Sequence, residues 1–305
     1  MTLLVTTVAF GNDDQVRSLA DQVSAFADAH LVVVDNSPAD RRVTSLECLR
    51  PDSNVGYARG VNLAASSVDG WDHVLVVNPD VDLTVDPRVL AHHFVDLRVL
   101  AVCGRLTSAG GSAPTNLHPR PTLRRELLRA VVGWRAYRDP GPADEVRDVD
   151  QADGAWLLFS RAAWLRIGGF DERYELYFED VEIADRIREC DGVIRYDPLE
   201  VGRHDAGSSA RESGGLAHQV LGVSRTRYYR LSGITRHPAV LGRTSAVVEL
   251  LARTVTWRPE GQRARWRALR LQWAESGRPG SVWLLGPPRP ITRRLGVGPP
   301  PGPST

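Results

Sequence analysis

The apolar run Val74–Val77 stops at a polar loop, Asn78-Pro79-Asp80-Val81-Asp82, and no other stretch constrains the fold as tightly. A short unbroken apolar run bounded by turn residues reads as a buried strand. Leu31–Val34, which ends in Asp35-Asn36-Ser37, reads the same way. Leu3–Phe10, rich in Val and Thr, supplies an earlier strand. Between the first two strands, Val16, Leu19, Ala20, Val23 and Phe26 keep helical spacing behind a cap at Asn12 or Asp13. A second helix follows Asn54-Val55-Gly56 and runs to about Ser67, Pro87–Leu97 reads as a third, and Leu100–Leu106 as another strand. This strand–helix alternation implies an α/β protein with a mostly parallel central sheet and helices on its faces.

In such sheets ligands sit outside the carboxyl ends of the strands. Asp80 and Asp82 fall there as paired oxygen ligands for a hard divalent cation, Mg²⁺ or Mn²⁺, with a substrate diphosphate completing the shell. Solvated acidic caps explain the same loop. Asp35, at a second strand end, is placed to accept from a ribose hydroxyl or a nucleobase N–H, and equally to form an Asx-turn. His204 follows a strand and precedes a small-residue loop, where its imidazole could complete a metal site with Asp80. Glu179 and Asp180 open a helix whose apolar face is Ile183, Ala184 and Ile187. Acidic residues there either complement the helix dipole or supply a general base. The dipole would lower such a carboxyl's pKa and desolvation would raise it. Neither G-x-G-x-x-G nor G-x-x-x-x-G-K-[ST] occurs, so the nicotinamide and P-loop fingerprints do not apply.

The 305 residues suit one large α/β domain with an appendage, and a net charge of +1 gives no global case for nucleic acid. All 38 basic residues are Arg, which excludes lysine-dependent chemistry. Cys48, Cys103 and Cys190 lack paired spacing, which argues against a disulfide framework and fits a reducing cytoplasm. The apolar N-terminus has no basic flank and meets Asn12-Asp13-Asp14 early, so it reads as a strand and not a signal peptide. No run approaches the roughly 18 apolar residues of a membrane span.

Three changes of character divide the chain. Residues 107–148, with Gly110-Gly111 and five prolines, read as a largely irregular insertion around a short basic helix, Leu123–Ala136, of the kind that forms substrate loops. Residues 1–232 make the main domain. Residues 233–285 make a basic helical extension (Val240–Thr256 and Gln262–Ala274) with Trp257, Trp266 and Trp273 among its arginines. That pattern fits peripheral contact with the anionic inner face of a membrane, and fits as well a helix packing its Trp face on the main domain. Residues 286–305, rich in Pro and Gly, read as disordered.

Several blocks together resemble the bacterial family 2 glycosyltransferases, in particular their rhamnosyltransferase-like branch. They are Val33-Val34-Asp35-Asn36-Ser37, Asn54-Val55-Gly56 with Asn62, Asn78-Pro79-Asp80-Val81, Asp153-Gly154-Ala155, Gly168-Gly169-Phe170-Asp171-Glu172, Tyr177-Phe178-Glu179-Asp180, and His204 with Gly207-Ser208-Ser209. The resemblance covers about Leu3 to Leu231. It implies a GT-A fold, a nucleotide-diphosphate sugar donor (dTDP-rhamnose by branch), Mg²⁺ or Mn²⁺, and inverting transfer to a cell-wall or surface-polysaccharide acceptor, glycan or lipid-linked glycan. By the same likeness Asp35 binds the nucleoside, with Asn54, Gly56 and Asn62 on the nucleotide side. Asn78 and Asp80 hold the two positions of a D-x-D element, and Asp82 lies outside it. Asp153 faces donor sugar or acceptor, Asp180 is the base with Glu179 beside it, and His204 is a metal ligand. In one departure, Gly11 separates Phe10 from Asn12, where the family usually joins an aromatic directly to Asn.

Two rival readings accompany this one. Asp80-Val81-Asp82-Leu83-Thr84 also resembles the D-x-D-x-T loop of haloacid-dehalogenase-type phosphatases, in which Asp80 would be a nucleophile. A non-catalytic nucleotide-sugar-binding module could use the same fold.

Overall fold

The computed structural model describes residues 1–108, 116–132, 139, 141–204, 216–235, 237, 240–244, 247, 267, 270–275 and 284. The elements that position the site are β1 (Leu3–Ala9), α1 (Asp13–Ser24), β2 (Ala29–Asp35), α2 (Tyr57–Ser66), β3 (His73–Val77), β4 (Val81–Leu83) and β5 (Val99–Thr107). They continue with β6 (Leu117–His118), α3 (Leu123–Val132), β7 (Arg147–Val149), β8 (Gln151–Ala152), β9 (Trp156–Ser160) and α4 (Arg161–Ile167). The last are α5 (Glu179–Glu189), β10 (Val193–His204) and the C-terminal α6 (Leu216–Leu231).

One eight-stranded sheet runs β2-β1-β3-β9-β5-β10-β4, with β7 also paired to β10. Strands β1, β2, β3, β5 and β10 point one way; β4, β7 and β9 point the other. The sheet is therefore mostly parallel, as the alternation implies. Its central strands are buried on both faces, which is why they are continuously apolar. Leu4, Val74, Val76, Leu157 and Phe159 pack against α2, α4 and α5, with Val61, Trp164 and Ile183 opposite. Leu3, Val5, Leu75, Val77 and Leu158 face the other way onto Leu19 of α1 and Leu90.

Some local expectations change. Pro87–Val95 is a 3-10 helix, shorter than expected, with Asp86 accepting from the Arg88 N–H at its start. Val193–His204 is one bent strand, β10, whose register slips between Asp197 and Gly202. Pro198 lies in that slip and has no N–H to donate. The 107–148 insertion is not largely irregular where it is described. It contains β6, which pairs with β8, then α3, and β7, which joins the main sheet. The part of its helix expected beyond Val132 lies outside the described residues. Most of the expected C-terminal helices lies outside them too, as do Trp257, Trp266 and the 286–305 tail. The described part of that region is docked on the main domain: Leu241 joins Tyr174, Val181, Tyr228 and Tyr229 in one cluster. Glu275 pairs with Arg227 of α6 at 2.8 Å, both side chains almost fully buried. Among the described residues Gln272 and Glu275 are buried too. Trp273 is 50% exposed, with the Arg243 guanidinium over its ring. Among the described residues no helix is long and apolar enough to cross a membrane. All three cysteines are free.

Candidate active site

A parallel strand presents its end where an antiparallel neighbour presents its beginning. Val77, the last residue of β3, therefore lies opposite Trp156, the first of β9, which brings Asp153 and Gly154 to the same edge as Asn78 and Asp80. Likewise His204, ending β10, pairs with Val81, opening β4. Asp35 arrives there at the end of β2 beside β1. The topology thus gathers residues far apart in sequence along one sheet edge.

Asp35 is buried. Its carboxylate accepts from the Ser37 N–H and the Val43 N–H, both at 3.0 Å, with Arg50 at 3.5 Å. The Asx-turn is formed, and the same side chain lines a cavity of 270 Å³ with Phe10, Asn36, Ser37, Arg42 and Asn54. Asn36, which sequence reasoning passed over, ties this cavity to the next loop. Its amide donates to the Gly56 carbonyl at 3.0 Å and accepts from the Val55 N–H at 3.2 Å. Asn54 accepts from the Gly56 N–H.

Gly56 and Asn62 have other tasks than the nucleotide contacts expected of them. Gly56 lies at φ +83°, and a Cβ there would stand 2.4 Å from the Glu175 carbonyl oxygen. That carbonyl accepts the Tyr57 N–H at 2.6 Å. Glycine is required here for a close backbone approach. Asn62 corrects the expectation outright. Its oxygen accepts from the Phe170 N–H, and its NH₂ donates to the Phe170 carbonyl and to Glu172. The amide is used up in holding the Gly168-Gly169-Phe170 turn.

At the metal position Asp80 and His204 meet, with Nε2 3.3 Å from Oδ1 and both side chains largely buried. A carboxylate and an imidazole facing each other suit Mn²⁺ or Mg²⁺ with substrate oxygens completing the shell, so these residues fit the implied ion. Asp82 does not belong with them. In the β4–β10 pair Asp82 lies opposite Arg203, one residue off the Val81–His204 pair, so it faces away from His204; it is exposed and accepts from the Gln22 amide of α1. The phosphatase reading fails at the same place: Thr84, which it needs beside the acidic pair, is exposed and donates to the Glu200 carbonyl. Asn78 is half-buried, with its backbone N–H bonded to the Ala155 carbonyl.

Across the cleft stands the start of α5. Tyr177 and Phe178 both take positive φ, 65° and 70°, a conformation costly for bulky side chains. Glu179 is buried behind them, and Asp180 is half-buried. Burial and the neighbouring Asp180 charge push the Glu179 carboxyl well up. Asp180 is pushed up to about 6, chiefly by burial and then by the Asp153 charge, against the lowering pull of His118 and of two backbone N–H groups. Desolvation therefore outweighs the backbone N–H bonds that reach the carboxylate. Tyr57 spans this cleft and donates to the Gly154 carbonyl at 2.8 Å. Burial raises its phenol, and Glu179, Asp180 and Asp80 raise it further. Asp153 is not open to a substrate alone: His118 Nε2 lies 2.8 Å from its carboxylate. Sequence reasoning missed His118, which sits in the insertion on a strand of two residues.

One sheet edge thus gathers the Asp35 cavity, the Asp80–His204 pair and the raised Asp180 carboxyl. No family model matches the chain. Among curated proteins, the N-acetylglucosaminyl-diphospho-decaprenol L-rhamnosyltransferase of Mycobacterium tuberculosis is 30% identical over 211 residues, covering 60% of this chain and 68% of its own. The low-salt glycan biosynthesis hexosyltransferase Agl10 of Haloferax volcanii is 28% identical over 195 residues, covering 61% of each chain. Among solved structures, GalNAc-T7 with UDP, GalNAc and Mn²⁺ has the same fold, with a TM-score of 0.51 at 13% identity over 75% of this chain. The present chain spans half of that structure's length. The chain belongs to the family 2 glycosyltransferases, in their rhamnosyltransferase-like branch.

Proposed function

We propose that this glycosyltransferase moves L-rhamnose from dTDP-rhamnose, with inversion, to a hydroxyl of a lipid-linked glycan precursor of a cell-wall or surface polysaccharide. The observation that carries the reading is the Tyr57 phenol, which, beyond burial, the charges of both Asp180 and Asp80 push up, with Asp80 in turn 3.3 Å from His204. Asp35 and Asn54 hold the nucleoside in the cavity they line, with Asn36 fixing the loop between them. Asp80 and His204 hold Mg²⁺ or Mn²⁺, and Asn78 stands beside them. A bound divalent ion neutralises charge developing on the leaving diphosphate. Asp180 takes the proton from the acceptor hydroxyl as that oxygen attacks the anomeric carbon from the face opposite the diphosphate. Glu179, whose carboxyl burial pushes up, shapes the wall behind it. Asp153 borders the sugar and acceptor side. The acceptor assignment rests on the substrate named for the mycobacterial relative.

Calorimetric titration with dTDP, UDP and GDP, with and without Mn²⁺, tests the reading. It expects metal-dependent binding of dTDP that is lost in Asp80→Ala. It expects Asp180→Asn to keep that binding while losing transfer from dTDP-rhamnose. Binding of UDP or GDP in place of dTDP would overturn the donor, and binding without turnover by the unaltered protein would favour a non-catalytic module.

A further inference from the structure

We infer that His118 is a positioning residue of the active site, a fixed cation that neutralises Asp153 so that Asp180 can stand ionised beside it. The inference rests on the transferase reading for its consequence in catalysis, but not for the arrangement itself. Three carboxylates, Asp153, Glu179 and Asp180, crowd one side of the cleft. Ionising Asp180 beside a charged Asp153 in a partly dehydrated site is unfavourable, because like charges penalise each other there. An opposite charge held on Asp153 removes most of that penalty.

The surrounding structure holds His118 in place. Its strand β6 pairs with β8, His118 opposite Gln151 and Leu117 opposite Ala152. Two residues earlier, Asn116 is fully buried. Its side chain donates to the Gly104 carbonyl at 2.9 Å and accepts from the Leu106 N–H at 3.2 Å. Its own carbonyl accepts the Asp153 N–H at 2.9 Å, so the backbone two residues before His118 is tied to that of Asp153. Two residues later, Arg120 pairs with Asp185 of α5 at 3.2 Å and donates its N–H to Asp150. The insertion is thereby fastened both to the β7–β9 segment that carries Asp153 and to the helix carrying Asp180. The His118 and Asp153 side chains are only 25% and 33% exposed, which shields the pair better than an ordinary surface contact.

The charges facing these groups can be named. His118 meets Asp153 from the loop before β9, Asp180 from α5, and Asp139 from the insertion. Asp180 meets Asp153 and His118, with Glu179 on its own helix and Tyr57 on α2. Burial alone would lower the His118 imidazole; the Asp153 charge and hydrogen bond outweigh it and push the ring up to about 9. At neutral pH the ring is therefore an imidazolium.

Carbon-13 NMR of the full chain, labelled at Asp and His, tests this without any substrate. Asp180 is assigned by the signal lost in Asp180→Asn. In His118→Gln the Asp180 carboxyl should titrate higher by about one pH unit, since Asp153 is then unneutralised. In His118→Gln/Asp153→Asn it should return close to its starting value, because a neutral pair replaces a paired charge. In Asp153→Asn alone, His118 should titrate at or below an ordinary histidine. An Asp180 titration unmoved by His118→Gln, or a His118 ring that titrates ordinarily in the unaltered protein, would overturn the inference. A second arm follows transfer from dTDP-rhamnose against pH, where the acid limb should move up with Asp180 in His118→Gln. If that donor gives no turnover, the donor assignment fails while the NMR titrations still decide the role of His118.

Discussion

Gly56→Ala tests how closely the nucleotide loop is coupled to the segment that carries the base. The added methyl meets two separate costs. At φ +83° and ψ 179° the backbone occupies a region open essentially to glycine alone, worth about 1–3 kcal/mol for any other residue. The new Cβ would also stand 2.4 Å from the Glu175 carbonyl oxygen and 3.0 Å from its carbon and Cα. These are backbone atoms that cannot swing aside, so relief requires a shift of the kind that costs about 1–3 kcal/mol in packed interiors. Moving Glu175 would in turn stretch its bond to the Tyr57 N–H. The sum, about 2–6 kcal/mol, is a large part of the roughly 5–15 kcal/mol that holds a domain folded. With a urea slope near the upper end of about 1–3 kcal/mol per molar, the unfolding midpoint should fall by about 1 M. Tryptophan fluorescence follows the transition, and dTDP affinity should fall with it because the Gly56 carbonyl and N–H hold Asn36 and Asn54. Gly154→Ala is the control: its Cβ would meet Tyr57 at 3.6 Å and Asp180 at 3.8 Å, ordinary contacts. Equal midpoints for Gly56→Ala and the unaltered protein would refute the reasoning.

Four further outcomes are expected. The pH profile of kcat/KM should rise through about pH 6, because Asp180 must lose its proton to accept another and its folded pKa is raised to that value; Asp180→Asn should lower kcat by about 10²–10⁴. Asp82→Ala should leave Mn²⁺-dependent nucleotide binding unchanged in calorimetry, whereas Asp80→Ala abolishes it. Asn62→Ala should destabilise by about 2–4 kcal/mol in urea unfolding, since it strands the Phe170 N–H and carbonyl. Glu275→Ala should cost about 3–5 kcal/mol by leaving Arg227 buried without its carboxylate, read as a lower midpoint together with a lower kcat at 25 °C.

The legible parts of the chain are those where one residue's neighbours dictate its environment. Val74–Val77 and Leu31–Val34 announce themselves because a strand covered on both faces must be apolar throughout. Asp35, Asp80 and His204 follow from lying at strand ends. Asp82 and Asn62 mislead because their roles depend on side-chain direction, which short motifs do not encode: Asp82 turns to α1, and Asn62 turns to Phe170. His118 was illegible because a two-residue strand leaves no periodicity, and its partner Asp153 is 35 residues away in sequence. The extension's Trp pattern left membrane contact and packing on the domain open, and it carries no sign of the Glu275–Arg227 pair, since a buried carboxylate is legible only beside its buried guanidinium.

The start of α5 shows why an acidic first turn cannot be interpreted from sequence alone. The helix dipole and desolvation act on Asp180 with opposite sign, and the balance depends on what covers the helix end. Here the cover is specific. Tyr177 and Phe178 sit in left-handed conformations that cost of order 1 kcal/mol or more each, so other contacts must hold them. Phe178 packs on Tyr228 of α6 with ring centres 5.4 Å apart. Ser224 of the same helix donates to the Leu176 carbonyl at 2.8 Å, and Arg227 donates to the carbonyl of Arg173 just before the turn. Helix α6 is held in its turn by Glu275 from the extension. The strained turn, the dehydrated base and the C-terminal extension are therefore one mechanical unit. Loosening α6 would let water reach Glu179 and Asp180, lower their raised pKa values toward ordinary carboxylates, and weaken the base that transfer requires.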